Sequence, residues 1–233
     1  PWFGPELANI KQTKCTPNQA GDRVSFLDKN SIEHFEVFYG CALLNAVCVD
    51  VNWRLAAPEV EYIVNDAGST VFVVSEDFRS IAEAIADQLN PASLVVVIGG
   101  SGAPVGKLRT ISYEAFVASG SNVDPQVVAK ADDVAFQLYS SGTTGRPKGV
   151  MLTHHNFFSV AEKLADAWHF EPNCTVYVPY PVFHAAGTFW PLLTMLRDGK
   201  VIFRSGFDEV DFINSVEREG VNLTLMVPTV INM

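Results

Sequence analysis

One stretch of the chain concentrates groups suited to holding an anion: Tyr139-Ser140-Ser141-Gly142-Thr143-Thr144-Gly145-Arg146-Pro147-Lys148-Gly149-Val150. Four hydroxyl side chains, three glycines and a lysine fall within positions 140–149. Glycine lets the backbone approach a ligand closely and turn its amides toward negative charge. The hydroxyls of Ser140, Ser141, Thr143 and Thr144 add donors, and Lys148 supplies a mobile point charge for phosphate. Charge-assisted hydrogen bonds contribute about 1.5–3 kcal/mol each, so three or four could hold a triphosphate. The formal charge of −10 does not oppose this, because surface charges beyond about 8 Å are largely screened at physiological salt.

The spacing excludes two better-known phosphate loops. A Walker A motif needs four residues between Gly and Gly-Lys-Ser/Thr, whereas Lys148 lies between Pro147 and Gly149. In Gly100-Ser-Gly102-Ala-Pro-Val-Gly106 the last glycine comes one position late for a dinucleotide fingerprint, and Pro104 spoils a helix opening.

A second informative stretch is Pro179-Tyr180-Pro181-Val182-Phe183-His184-Ala185-Ala186-Gly187, where His184 is either a site residue or a capping or core histidine at a helix start. His154 and His155 follow Thr153 and read as helix-start structure, and His34 and His169 as surface or packing residues. The pairs Asp132-Asp133 and Asp208-Glu209 read as solvated or capping acids. The aromatics Phe157, Phe158, Trp168, Phe189 and Trp190 have helical spacing, which fits an apolar channel and plain core equally. Cys15, Cys41, Cys48 and Cys174 form no CxxC pair and have no zinc-like spacing with the histidines, so free thiols in a reducing compartment are expected and no metal ligand is assigned.

To position these groups the chain needs a framework, and strand-like and helix-like patterns alternate along it. Strands are expected over 24–27, 48–51, 71–74, 94–98, 134–139, 176–179, 201–203 and 223–227. Most are short apolar runs rather than alternations, as for strands covered on both faces. Helices are expected over 32–47, 59–66, 78–89, 154–168, 187–196 and 209–219. Pro58 suits a first turn, and Gly68, Gly199 and Gly220 act as stops. Long loops are expected over 99–106 and 119–130, with a subdomain junction near 120–131. Repeated strand–helix–strand order implies an α/β fold of mainly parallel sheet with helices on both faces. In this reading the phosphate loop lies between a strand and a helix.

Of 233 residues 48% are hydrophobic and 11% aromatic, enough for a substantial core, which argues against disorder. No basic cluster appears, so nucleic acid is not an expected partner. No run reaches the ~18 apolar residues needed to span a bilayer, so any membrane contact would be peripheral. The opening residues lack a signal-peptide pattern, and a cytoplasmic location is expected.

The segment 139–150 resembles the phosphate-binding loop of the acyl-adenylate-forming (AMP-binding) superfamily, which includes acyl-CoA synthetases, firefly luciferase and peptide-synthetase adenylation domains. Ser140 stands where threonine is usual there. Gly21-Asp22-Arg23-Val24 with Asn30-Ser31, and Asn52-Trp53-Arg54-Leu55 before Pro58-Glu59, resemble further family stretches, and the likeness runs from about Gly21 to the last residue. The His184 segment resembles the fatty-acid and aryl-acid CoA ligase version. The resemblance implies that Ser140, Ser141, Gly142, Thr143, Thr144, Gly145 and Lys148 bind nucleotide. It also implies that Lys148 and His184 serve the chemistry, with His184 at the carboxylate end of an acyl pocket.

The implied reaction takes a carboxylic (fatty) acid, ATP with Mg2+, and CoA to an acyl-adenylate and then a thioester. Loading of a carrier protein is one alternative, and a non-catalytic nucleotide-binding remnant is another. The family's Tyr-Gly-x-Thr-Glu stretch, its ribose-binding Asp and its mobile C-terminal domain with a catalytic Lys do not occur in these residues. Most Mg2+ ligands would also lie elsewhere. The expectation is therefore an irregular segment over 1–20 and an incomplete N-terminal adenylation domain over 21–233, inactive alone.

Overall fold

The computed structural model describes residues 20–140 and 146–231. They run β1 (Arg23–Leu27), α1 (Ile32–Leu44), β2 (Val47–Asp50), α2 (Ala57–Asp66), β3 (Val71–Ser75), α3 (Arg79–Ile85), β4 (Leu94–Ile98), β5 (Arg109–Ser112) and α4 (Tyr113–Ala118). Then follow β6 (Val134–Ser140), β7 (Lys148–Thr153), α5 (His154–Ala167), β8 (Thr175–Val178), α6 (Ala185–Leu196), β9 (Lys200–Phe203), α7 (Glu209–Glu219), β10 (Leu223–Thr224) and α8 (Pro228–Ile231).

Contacts divide the chain into two units. One holds residues up to Asp28 and Glu33–His154; the other holds Lys29–Ile32 and residues from His155 on. In the first, seven strands form a sheet in the order β5-β4-β3-β1-β2-β6-β7, parallel except for the antiparallel pair β6·β7. In the second, β10-β8-β9 form a parallel sheet. The mainly parallel α/β fold expected from the sequence is therefore the fold observed. Among the described residues no helix is long and apolar enough to cross a membrane.

The apolar runs explain the first sheet. Every residue of β2 and β3 is buried, as are Leu94–Val97 of β4, because helices cover both faces of parallel strands. Val60 and Ile63 of α2 and Ala82 and Ile85 of α3 pack with Val49, Phe72, Val74, Val95 and Val97. In the second unit Tyr177 of β8 packs with Ile202, Val221, Phe207 and Phe212.

Several boundaries differ from expectation for identifiable reasons. α1 ends at Leu44 rather than at 47, because Asn45 adopts the left-handed conformation that asparagine tolerates (φ 53°). After α6 the left-handed residue is Asp198 (φ 54°), not Gly199. Gly199 is required instead because a Cβ there would meet the Cys174 carbonyl. β10 is two residues long where five were expected.

Among the elements without an expectation are β5 and α4. β5 (Arg-Thr-Ile-Ser) is a polar edge strand, and edge strands are commonly polar. α4 spans only six residues, too few for periodicity to register, and is capped by Ser112, whose hydroxyl accepts from Ala115 N. The largest difference is β7. Residues 148–153 were read as leading into a helix, but they return antiparallel beside β6.

Candidate functional site

The β6·β7 pairing changes the setting of the phosphate-loop segment. Ser140, the last residue of β6, is the register partner of Lys148, the first of β7. The chain between them therefore joins two antiparallel strands and not a strand and a helix. An antiparallel return needs only a short connection, and no helix N-terminus lies directly beyond it to assist anion binding. Ser140 and Lys148 are both exposed. Ser141, Gly142, Thr143, Thr144 and Gly145 lie outside the described residues.

The base of the hairpin is held by a polar chain running back into the sheet. Arg23 Nε donates to Gln137 Oε1 (3.3 Å), Gln137 Nε2 donates to Tyr139 Oη (3.1 Å), and Tyr139 donates to Asp66 Oδ2 (2.7 Å). Asp66 Oδ1 accepts in turn from Tyr62 (3.4 Å). The Arg146 guanidinium sits 5.5 Å from the centre of the Tyr62 ring, within cation–π range. Burial, and then the Asp66 carboxylate, push the Tyr139 phenol well up, so it stays a donor across the physiological range. Gly149 passes over this network with no room for a side chain: a Cβ would run into the Gln137 amide and the Tyr139 ring. The glycine that read as part of an anion loop is therefore also a close-packing position.

In the second unit, His184 occupies the N-cap position of α6 with extended backbone (φ −106°, ψ 146°), but its side chain makes no capping hydrogen bond. It is exposed, with its ring centre 4.5 Å from that of Phe183. Its side chain is thus neither buried nor hydrogen-bonded to the helix N-terminus. The turn before it is rigidly built. Asn30 Nδ2 donates to the carbonyls of Tyr180 (2.5 Å) and Arg204 (2.9 Å), and its Oδ1 accepts from Val182 N (3.0 Å). Thr188 Oγ1 donates to the Val182 carbonyl (2.7 Å), and a Cβ on Gly187 would strike the Pro181 carbonyl.

Directly after His184, Ala185 and Ala186 line an almost wholly apolar cavity of about 640 Å³, with Trp168, His169, Phe189, Trp190 and Leu225 around it. Trp168 and Trp190 stack with ring centres 5.9 Å apart. The aromatic set from the sequence thus separates: Trp168, Phe189 and Trp190 line the cavity, Phe157 is buried, and Phe158 is exposed.

The AMP-binding enzyme family matches residues 18–233. The chain belongs to the AMP-binding enzymes. It is 34% identical over 212 residues to the long-chain-fatty-acid–CoA ligase FadD13 of Mycobacterium tuberculosis, a match covering 91% of this chain and 40% of that protein. It is 31% identical over 218 residues to the fatty acid–[acyl-carrier-protein] ligase ScoC of Streptomyces coeruleorubidus, again 91% and 40%. The inhibitor-bound N-terminal domain of FACL13 from Mycobacterium tuberculosis superposes with a TM-score of 0.83 at 30% identity, covering 98% of this chain and 55% of that one. ATP-bound MatB from Rhodopseudomonas palustris superposes at 0.77 and 28% identity, covering 92% and 41%. The chain spans about two fifths of the length of these curated relatives.

The other sequence-stretch histidines and acids fall into structural places. His34 is fully buried and His169 lies at the cavity rim. His154 opens α5, where burial lowers the pKa of its imidazole. Asp133 accepts from Lys130 N and from the Asn45 amide, and Asp208 caps α7. Sequence reasoning did not reveal the part played by Asn30, because its partners lie 150 or more positions away. Nor did it reveal the Gln137–Tyr139–Asp66 chain. The only local signal was two polar-tipped residues at alternate positions of an otherwise apolar strand.

Proposed function

We propose that the protein containing this chain uses ATP to convert a carboxylic acid, a fatty or aromatic one, to an acyl-adenylate and then to its CoA thioester. The observation that carries the reading is the hydroxyl- and glycine-rich sequence 140–148, whose end residues Ser140 and Lys148 are exposed register partners of β6 and β7. In this reading Ser140, Ser141, Gly142, Thr143, Thr144, Gly145 and Lys148 hold the phosphates. Residues 21–233 are read as part of the adenylating domain.

A carboxylic acid with pKa near 4–5 is already ionised at neutral pH. It can attack the α-phosphorus unaided, so the reaction needs positioning and donors for the charge that builds on the phosphoryl oxygens and departing pyrophosphate. Lys148 and the loop amides and hydroxyls supply those donors. His184 then needs no base role: it orients the carboxylate at the mouth of the apolar cavity, whose lining takes the hydrocarbon part. Asp66, at the end of the polar chain, accepts from Tyr139 and Tyr62. The Mg2+ ion is read as arriving on ATP, where it neutralises phosphate charge.

A carrier-protein thiol in place of CoA is a second reading, favoured by the likeness to ScoC. The test uses the full-length protein with ATP, Mg2+ and a panel of fatty and aromatic acids. Acid-dependent release of pyrophosphate followed by thioester on adding CoA supports the first reading. Release without a CoA thioester, but with loading of an acyl-carrier protein, supports the second. No acid-dependent release with any acid would leave only a non-catalytic nucleotide-binding remnant.

A further inference from the structure

The connection between β1 and α1 carries Asn30, whose side-chain amide is wholly engaged with the turn that leads into His184. Its nitrogen donates to the carbonyls of Tyr180 (2.5 Å) and Arg204 (2.9 Å), and its oxygen accepts from Val182 N (3.0 Å). Tyr180 follows β8 and Arg204 follows β9, so one side chain joins the ends of two paired parallel strands. An amide offers two N–H donors and an acceptor in one plane, which is what two carbonyls and a backbone N–H require. A carboxylate of the same shape has no donor and would set negative charge against both carbonyl oxygens. From Val182 the constraint continues to His184. The Val182 carbonyl accepts from Thr188 Oγ1 (2.7 Å), and Thr188 is fully buried. His184 N donates to the Pro181 carbonyl (3.1 Å), the same group that leaves Gly187 no room for a Cβ. With no capping bond to α6, the imidazole takes its aim from this backbone and from the Phe183 ring beside it.

We propose, on the reading of His184 as the group that orients the carboxylate, that Asn30 is a positioning residue for the acid substrate. It acts through His184, by fixing the 180–182 turn from which the imidazole is aimed, and it takes no part in holding the nucleotide. Displacing a positioning group by about 1 Å can cost about a hundredfold in rate, so loss of this support should be visible at the acid site although Asn30 itself touches no substrate. The residue type at position 30 then matters as much as its size: Asn30→Asp keeps the shape, removes both donors and frees the turn. A residue that served stability alone would behave differently. Its loss would weaken acid and ATP alike, and would do so whether or not the imidazole is present.

The test is a double-mutant cycle on the full-length protein: wild type, Asn30→Asp, His184→Ala and the two together. Calorimetry reads the Kd of decanoate and of cinnamate, and binding of ATP is measured alongside. Asn30→Asp is expected to weaken acid binding several-fold, up to the loss seen in His184→Ala, and to leave ATP within about twofold of wild type. In the His184→Ala background the same change should add less than about twofold, because its effect runs through the missing imidazole. Should Asn30→Asp not fold, Asn30→Ser, whose hydroxyl keeps one donor, takes its place in the cycle. Equal weakening of acid binding with and without the imidazole overturns the proposal. So does an equal loss for acid and ATP, or wild-type acid affinity in a folded variant, or a wild type that binds neither acid. Binding is read apart from turnover, so the two readings fail separately. Coupling of Asn30 to His184 in a protein that releases no pyrophosphate supports the proposal and removes adenylation. Acid-dependent pyrophosphate release with additive mutations does the reverse.

Discussion

In the proposed reading the hairpin of the first unit and the His184 turn of the second would solve one problem, presenting a polar group beside a ligand, by opposite means. At the hairpin the chemistry is local: the candidate ligands are consecutive residues, and the fold contributes a base, the Arg23–Gln137–Tyr139–Asp66 chain. At the turn one exposed imidazole is held by parts far apart in sequence, Asn30 above all, and by backbone so close that Gly187 can be nothing else. A site of the first kind tolerates loss of any one support but depends on each donor. A site of the second kind depends on its scaffold.

That contrast predicts effects of different kind and size. Lys148→Ala in the full-length protein should lower the rate of adenylate formation roughly tenfold to a hundredfold, the loss of one charge-assisted contact of about 1.5–3 kcal/mol. Its Tm should stay unchanged, since the side chain is exposed. Single-turnover kinetics and calorimetry read both, and a large Tm drop would show that the lysine is structural. Gly187→Ala should do the reverse, destabilising by about 1–3 kcal/mol through overpacking against the Pro181 carbonyl. Denaturant unfolding checks it, and wild-type stability would mean the turn has room to yield.

His184→Ala should raise KM for the acid several-fold while leaving KM for ATP and the Tm near wild type, the pattern for lost carboxylate positioning. Equal effects on both substrates would remove His184 from the acid site. The smallest effect concerns two matched tyrosines, Tyr139 bonded to Asp66 in one unit and Tyr177 to Asp211 in the other. Burial and the neighbouring carboxylate raise both phenols. A group whose folded pKa exceeds its unfolded value stabilises fully below the latter, near pH 10, and loses that contribution as pH rises further. Tyr139→Phe and Tyr177→Phe should each cost about 0.5–1.5 kcal/mol at neutral pH and make alkaline unfolding less steep. A pH series of melting curves tests this, and unchanged steepness in both variants would contradict it.

The same contrast explains what could be read without coordinates. Parallel core strands such as 94–98 are nearly continuous Val and Ile, and Glu209–Glu219 has a capping Asp208 and a left-handed Gly220 at its ends, so both were legible to the residue. The loop drew notice in the sequence because its donors are adjacent. What failed was its context: Lys-Gly-Val-Met-Leu-Thr carries no sign that β7 will turn back beside β6, because that follows from pairing and not from composition. The Asn30 clamp and the His34–Cys48–Asp50 cluster were equally silent, since each exists only once separate elements meet.

The central claim is that the hairpin segment serves carboxylate adenylation, and ATP–pyrophosphate exchange by the full-length protein tests it most directly. The account predicts exchange that requires a fatty or aromatic acid and falls tenfold or more in Lys148→Ala. Exchange that is absent with every acid, or equally fast in the folded Lys148→Ala variant, would contradict it.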